Sequence, residues 1–134
     1  MFNSNYKDHF SADVNSLETP CYLVSEKKLL ENMEIMDKVM ERTGCKILLA
    51  QKAFSMYSTY PLLEKHLCGT TASGIFEARL GREEFNGEVH VFNPAYRQAE
   101  MEELVTICDH IVFNSFSQWQ KYRSLVKNFG RKIS

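Results

Sequence analysis

Four apolar runs open near positions 46, 70, 88 and 110, and each is followed by an amphipathic stretch of helix length. A strand–helix unit recurring about every twenty residues leaves few folds open. Strands joined by helical connections run parallel, and a parallel sheet must be covered by those helices. The runs are Lys46-Ile47-Leu48-Leu49-Ala50, the small-residue Thr70-Thr71-Ala72-Ser73, Glu88-Val89-His90-Val91-Phe92 and His110-Ile111-Val112-Phe113. Helices are expected over 58–67, 77–85 and 98–108, the last with Met101, Leu104, Val105 and Cys108 facing inward. A fourth starts at Ser115 or Ser117, buries Trp119, Tyr122, Val126 and Phe129, and stops at Gly130.

Upstream of the repeat, residues 1–19 show no periodicity and read as a polar lead-in, leaving 20–134 as the folded part. Thr19-Pro20 opens a short apolar run, Cys21-Tyr22-Leu23-Val24, of strand character. Ser25 is placed to cap a helix whose inward stripe is Leu29, Leu30, Met33, Met36, Val39 and Met40, with Gly44 as its stop. Glu34 and Lys38 are spaced for an i,i+4 pair. Methionines at this spacing fill a core.

Sixteen basic and seventeen acidic residues give a net charge of -1, which leaves no electrostatic footprint for nucleic acid. The basic residues between Lys127 and Lys132 read as a solvated helix end. Cys21, Cys45, Cys68 and Cys108 lie far apart, without a CxxC pair or paired histidines, so no metal centre is expected and all four read as reduced core thiols. No run reaches the roughly 20 apolar residues of a membrane span, and the first nineteen contain no apolar leader segment. A cytoplasmic location is the expectation.

Periodicity does not separate an open doubly wound sheet from a (β/α)8 TIM barrel. No GxGxxG and no GxxxxGK[ST] follows any strand, which removes the commonest support for the open sheet. A barrel takes eight units and about 250 residues. Four units are present, and Arg131-Lys132-Ile133-Ser134 reads as the start of a fifth strand, so the expectation is the first half of a barrel. Barrel chemistry sits at the carboxyl ends of strands. There Lys52 emerges, after the run 47–50 and beside Ala50, Ala53 and Phe54. A lysine amine does carbonyl chemistry when its surroundings keep it neutral. On position alone, a lysine simply leaving the strand for solvent is the competing reading.

The words around Lys52 carry more. Cys45-Lys46-Ile47-Leu48-Leu49-Ala50-Gln51-Lys52-Ala53-Phe54-Ser55 resembles the cofactor-lysine segment of the alanine-racemase-like enzymes, which use pyridoxal 5'-phosphate. Within that group the chain is similar to the carboxynorspermidine (carboxyspermidine) decarboxylase family. The likeness rests on GCKILLAQKAFS (44–55), GTTASGIFEARLGREEFNGEVHVFNPAY (69–96) and HIVFNS (110–115), and it runs from about residue 19 to the end. It implies a PLP-binding barrel with Lys52 as the cofactor-carrying lysine and Ala50 and Ser73 beside the cofactor. It also implies that Cys21–Val24 is the opening strand of a second, β-rich domain.

The implied activity is decarboxylation of carboxynorspermidine or carboxyspermidine to norspermidine or spermidine in polyamine biosynthesis, in a homodimer. In the family the phosphate-binding loop, the ring-nitrogen acid and most substrate contacts come later in the chain than residue 134, so these residues alone are expected to be inactive. Two departures concern the second strand: Thr70 stands where ornithine decarboxylases carry an acid, and Phe76 where they carry a glutamate, with Glu77 one step later. Asn93 and Asn114 follow strands and suit either a pocket or a loop cap. His90 and His110 read as packed or capped. The alternatives are a decarboxylase for diaminopimelate or a basic amino acid, a single-domain PLP-binding barrel without turnover, and a non-catalytic half-barrel partner.

Overall fold

A computed structural model describes residues 13–129. Its elements run α1 (Glu26–Thr43), β1 (Leu48–Ala50), α2 (Tyr60–Leu63), β2 (Gly69–Ala72), α3 (Ile75–Glu84), β3 (Glu88–Phe92), α4 (Gln98–Ile107), β4 (His110–Val112) and α5 (Phe116–Asn128). A turn of 3-10 helix, Tyr57–Thr59, leads into α2.

All four strands are parallel and lie in the order β1-β2-β3-β4. That order answers the question periodicity left open. A doubly wound sheet reverses its strand order at a switch point; here each strand pairs with the next without reversal. Burial alternates accordingly. Thr70, Ala72, Val89, Val91 and Ile111 are buried toward the helices, while Thr71, His90, Phe92, His110 and Val112 lie on the more open side. The main core joins Ala72, Val89, Val91 and Ile111 to Ile75 and Ala78 of α3, Met101, Leu104 and Val105 of α4, and Tyr122 of α5. Helices on one face of a sequentially wound parallel sheet are the arrangement of a barrel wall.

A second cluster packs Met33 of α1 against Tyr60, Leu63, Leu67 and Phe85. The helix α1 begins and ends as its sequence dictates. The Ser25 hydroxyl accepts from the Lys28 N–H, and Gly44 closes the helix in the left-handed conformation at φ 70°. His66 Nδ1 lies 2.7 Å from Asp37 Oδ2 and ties the β2 approach to α1.

Several expectations need correction. Cys21–Val24 forms no strand, because among the described residues no neighbouring strand offers it a ladder; Tyr22 is 95% exposed. The first strand starts at Leu48 rather than Lys46, and the helix expected over 58–67 shortens to Tyr60–Leu63. Trp119 and Phe129 are exposed: α5 packs through Tyr122, Leu125 and Val126. Val39 is likewise exposed on α1. Only Cys108 is a buried thiol, since Cys68 is half-buried and Cys21 and Cys45 are exposed. Within α1 the ion pair joins Lys28 to Glu31, and among the described residues Glu34 and Lys38 form none. Most of the polar lead-in, the stop at Gly130 and the strand start at 131–134 lie outside the described residues.

Candidate active site

Strand β1 ends at Ala50, and the chain turns sharply, with the N–H groups of Ala53 and Phe54 both donating to the Ala50 carbonyl at 2.9 and 3.1 Å. Gln51 is drawn under the helices: it is 2% exposed, and its side-chain amide donates to the Tyr60 hydroxyl at 3.4 Å. Lys52 follows, exposed, at the carboxyl end of the strand. Among the described residues its side chain has no hydrogen-bond or ion-pair partner. A buried 47–50 run would desolvate this amine. Instead residues 47–50 are half-buried and Ala53 is exposed, because nothing within this half-sheet covers the open face. The placement of Lys52 stands; its dry surroundings do not arise from these residues.

A short, tightly held turn frames the next strand end. The Ser73 N–H donates to Glu77 Oε2 at 2.6 Å, and the Asn93 side-chain amide donates to the Ser73 carbonyl at 3.1 Å. Ser73 is exposed and its hydroxyl has no partner among the described residues. Glu77 and Asn93 are therefore occupied in holding backbone. The Asn93 side-chain oxygen also accepts from the Ala95 N–H at 3.0 Å, an Asx turn. After β4, Gln118 takes up the Asn114 N–H at 2.8 Å and donates to the Pro94 carbonyl at 3.1 Å. Phe113, Asn114, Ser115, Phe116 and Trp119 line an open cleft of about 480 Å³ there.

Tyr96 locks the β3 and β4 ends together. Its hydroxyl shares its proton between the carbonyls of Val112 at 2.9 Å and Val91 at 3.2 Å, and accepts from the Asn93 N–H at 3.0 Å. Burial pushes the phenol up to about 12. The strand register sets Ala50, Thr71, His90 and His110 in one row across the sheet, with Phe92 and Val112 paired farther toward the carboxyl ends. Lys52, Ala50 and Ser73 thus stand at neighbouring strand ends. They offer an amine, a small side chain and a hydroxyl beside the open face.

Sequence reasoning missed one constellation. Glu88, His90 and His110 converge lower on the same face, with His90 Nε2 3.0 Å and His110 Nε2 3.7 Å from one oxygen of Glu88, Oε2. The two imidazoles stack with centroids 4.0 Å apart. Lys46 holds the other carboxylate oxygen. The Lys46 ammonium, then the His90 hydrogen bond, keep the Glu88 carboxyl far below the usual range, at about 2.

No family model matches the chain. Among curated proteins it is 41% identical, over 84% of its length, to the carboxynorspermidine/carboxyspermidine decarboxylase of Herminiimonas arsenicoxydans. It is 37% identical, over 81%, to that of Campylobacter jejuni, and 37% identical, over 86%, to the carboxyaminopropylagmatine decarboxylase of Synechocystis. The chain spans 31%, 28% and 30% of these three relatives, respectively. A crystal structure of carboxynorspermidine decarboxylase from Campylobacter jejuni, complexed with norspermidine, superposes with a TM-score of 0.80 at 36% identity, covering 83% of this chain and 30% of that one.

Proposed function

We propose, taking as premise that the chain belongs with the carboxynorspermidine/carboxyspermidine decarboxylases over the segment it spans, that it forms the cofactor-lysine part of a pyridoxal-phosphate-dependent decarboxylase acting on carboxylated polyamines. The observation that carries this reading is Lys52, an exposed amine without a partner among the described residues, at the carboxyl end of the first strand of a sequentially wound parallel sheet.

Lys52 would hold the cofactor through its amine. Ala50 keeps the row below it low, and Ser73 presents a hydroxyl at the neighbouring strand end. When bound, the cofactor supplies an electron sink for the bond to the departing carboxylate. This chain's own part is positional. The buried Gln51–Tyr60 contact fixes the strand end from which Lys52 leaves, and the Tyr96 hydroxyl fixes the levels of β3 and β4 beside it. Closure of the open face by the rest of the barrel would exclude water and bring the Lys52 amine into a dry environment. A homodimer in the cytoplasm completes the reading.

Substrate choice would turn on the tail. A buried carboxylate left without its cation is costly, so a site built for an extended cationic tail discriminates against short amino acids. Carbon dioxide release by the whole protein tests this. Carboxynorspermidine, carboxyspermidine or carboxyaminopropylagmatine should react about a hundredfold or more faster than diaminopimelate, ornithine or arginine. Equal rates on diaminopimelate would move the assignment to another decarboxylase of the group. No release from any substrate, with cofactor bound, would favour a cofactor-binding barrel without turnover.

A further inference from the structure

The Glu88, His90 and His110 cluster is not used by the chemistry proposed for Lys52. The register places His90 and His110 in the row of Ala50, whereas Lys52 lies in the turn that follows that row. We infer that Glu88, His90 and His110 form a binding site for a single divalent transition-metal ion of the zinc class.

The geometry is that of a ligand set before the ion arrives. Zinc lies about 2.0–2.2 Å from imidazole nitrogen and carboxylate oxygen, so neighbouring ligand atoms at a tetrahedral angle stand about 3.4 Å apart. The two nitrogen-to-oxygen distances here, 3.0 and 3.7 Å, fall on either side of that spacing. One ligand atom from each of the three residues lies within 4.8 Å of the others. Two imidazoles and a carboxylate suit zinc, cobalt and nickel rather than calcium or magnesium.

The carboxylate is also oriented from outside. Lys46 occupies Oε1 and leaves Oε2 turned toward both histidines, the arrangement by which outer partners aim a ligating carboxylate. All three side chains are half-buried on the open sheet face, which leaves room for a water or another residue as the fourth ligand. The same three residues can also stand as a metal-free ion-pair cluster, and the test must tell the two apart.

Metal-stripped full chain is titrated with Co2+ and followed by visible absorption, then by displacement with Zn2+. The inference predicts one equivalent bound, with the intense ligand-field bands of four- or five-coordinate cobalt and no sulfur-to-cobalt charge transfer. His90→Gln and His110→Gln should each weaken binding about a hundredfold or more. His66→Gln, whose ring pairs with Asp37, and Cys45→Ser should leave it unchanged. Circular dichroism checks that each variant is folded, and Glu88→Gln serves as the ligand variant if a histidine variant is not. Binding by the folded wild type no tighter than by the His90→Gln/His110→Gln double variant would overturn the inference and leave the ion-pair cluster. A thiolate band lost on Cys45→Ser would equally overturn it, by moving the ion to cysteine.

Discussion

The backbone N–H of Ser73 donates a 2.6 Å hydrogen bond to the carboxylate of Glu77, which stands in the first turn of the helix that Ser73 leads into. The glutamate reaches back over the helix start and satisfies an amide that would otherwise point into solvent, while its charge complements the helix dipole. Glu77 therefore holds the strand end on which Ser73 sits. Glu77→Ala should cost about 1 kcal/mol in thermal or urea unfolding, and Glu77→Gln, which keeps an acceptor, should cost less. Equal losses for the two variants would contradict a capping role.

Gly81 permits the close approach of α3 to the first two strands. A Cβ there would lie 2.3 Å from Thr70 Oγ1 and 3.2 Å from Gln51 Oε1, the two buried side-chain oxygens without a partner among the described residues. Gly81→Ala should destabilise by about 1–3 kcal/mol through overpacking. Thr70→Ala in the same chain should recover part of that loss, so the double-mutant cycle should show coupling. Additive effects would mean that α3 simply moves away.

Tyr96 makes an alkaline signature. Its hydroxyl titrates near 10 in the unfolded chain and is raised to about 12 by burial in the fold. Because the folded value is the higher one, stability is unaffected below pH 10 and falls as pH rises from about 10 to about 12. Tyr96→Phe should remove that part of the slope. It should also cost about 1–3 kcal/mol at neutral pH by stranding the Asn93 N–H and the Val112 carbonyl. Urea midpoints measured at pH 8, 10 and 11 would show both effects.

The strands β1 and β4 each have one unpaired edge among the described residues, and Phe92, Val112 and Phe116 are exposed nearby. Such edges and patches recruit partners. The chain alone should self-associate in light scattering as its concentration rises. A monomer with a sharp, cooperative melt would show that the half-sheet is self-sufficient.

Much of this fold is legible in the sequence because one signal repeats. The run Glu88–Phe92 is a strand over its whole length, and Ser25 and Gly44 bound α1 as their chemistry requires. Where a stripe had to be chosen by spacing alone, it drifted. Residues 119, 122, 126 and 129 are one helical face, but the core meets the side that carries Tyr122, Leu125 and Val126. Cys21–Val24 has strand composition without a ladder, and composition cannot supply one. The position of Lys52 was readable from the strand end, whereas its exposure depends on what covers the face. His90 and His110 read as packed or capped side chains rather than as a pair, because ligand motifs are sought at short spacings. Twenty residues apart is one full strand–helix unit, and that is the spacing that puts two side chains in register on adjacent strands.

The central claim is that Lys52 carries the cofactor, and it is tested most directly by trapping. Whole protein incubated with pyridoxal 5'-phosphate is reduced with borohydride, digested and mapped by mass spectrometry. The account predicts the reduced cofactor on the peptide containing Lys52, and its loss in Lys52→Ala. Label on Lys46 or Lys65 instead, or label undiminished in Lys52→Ala, would contradict it.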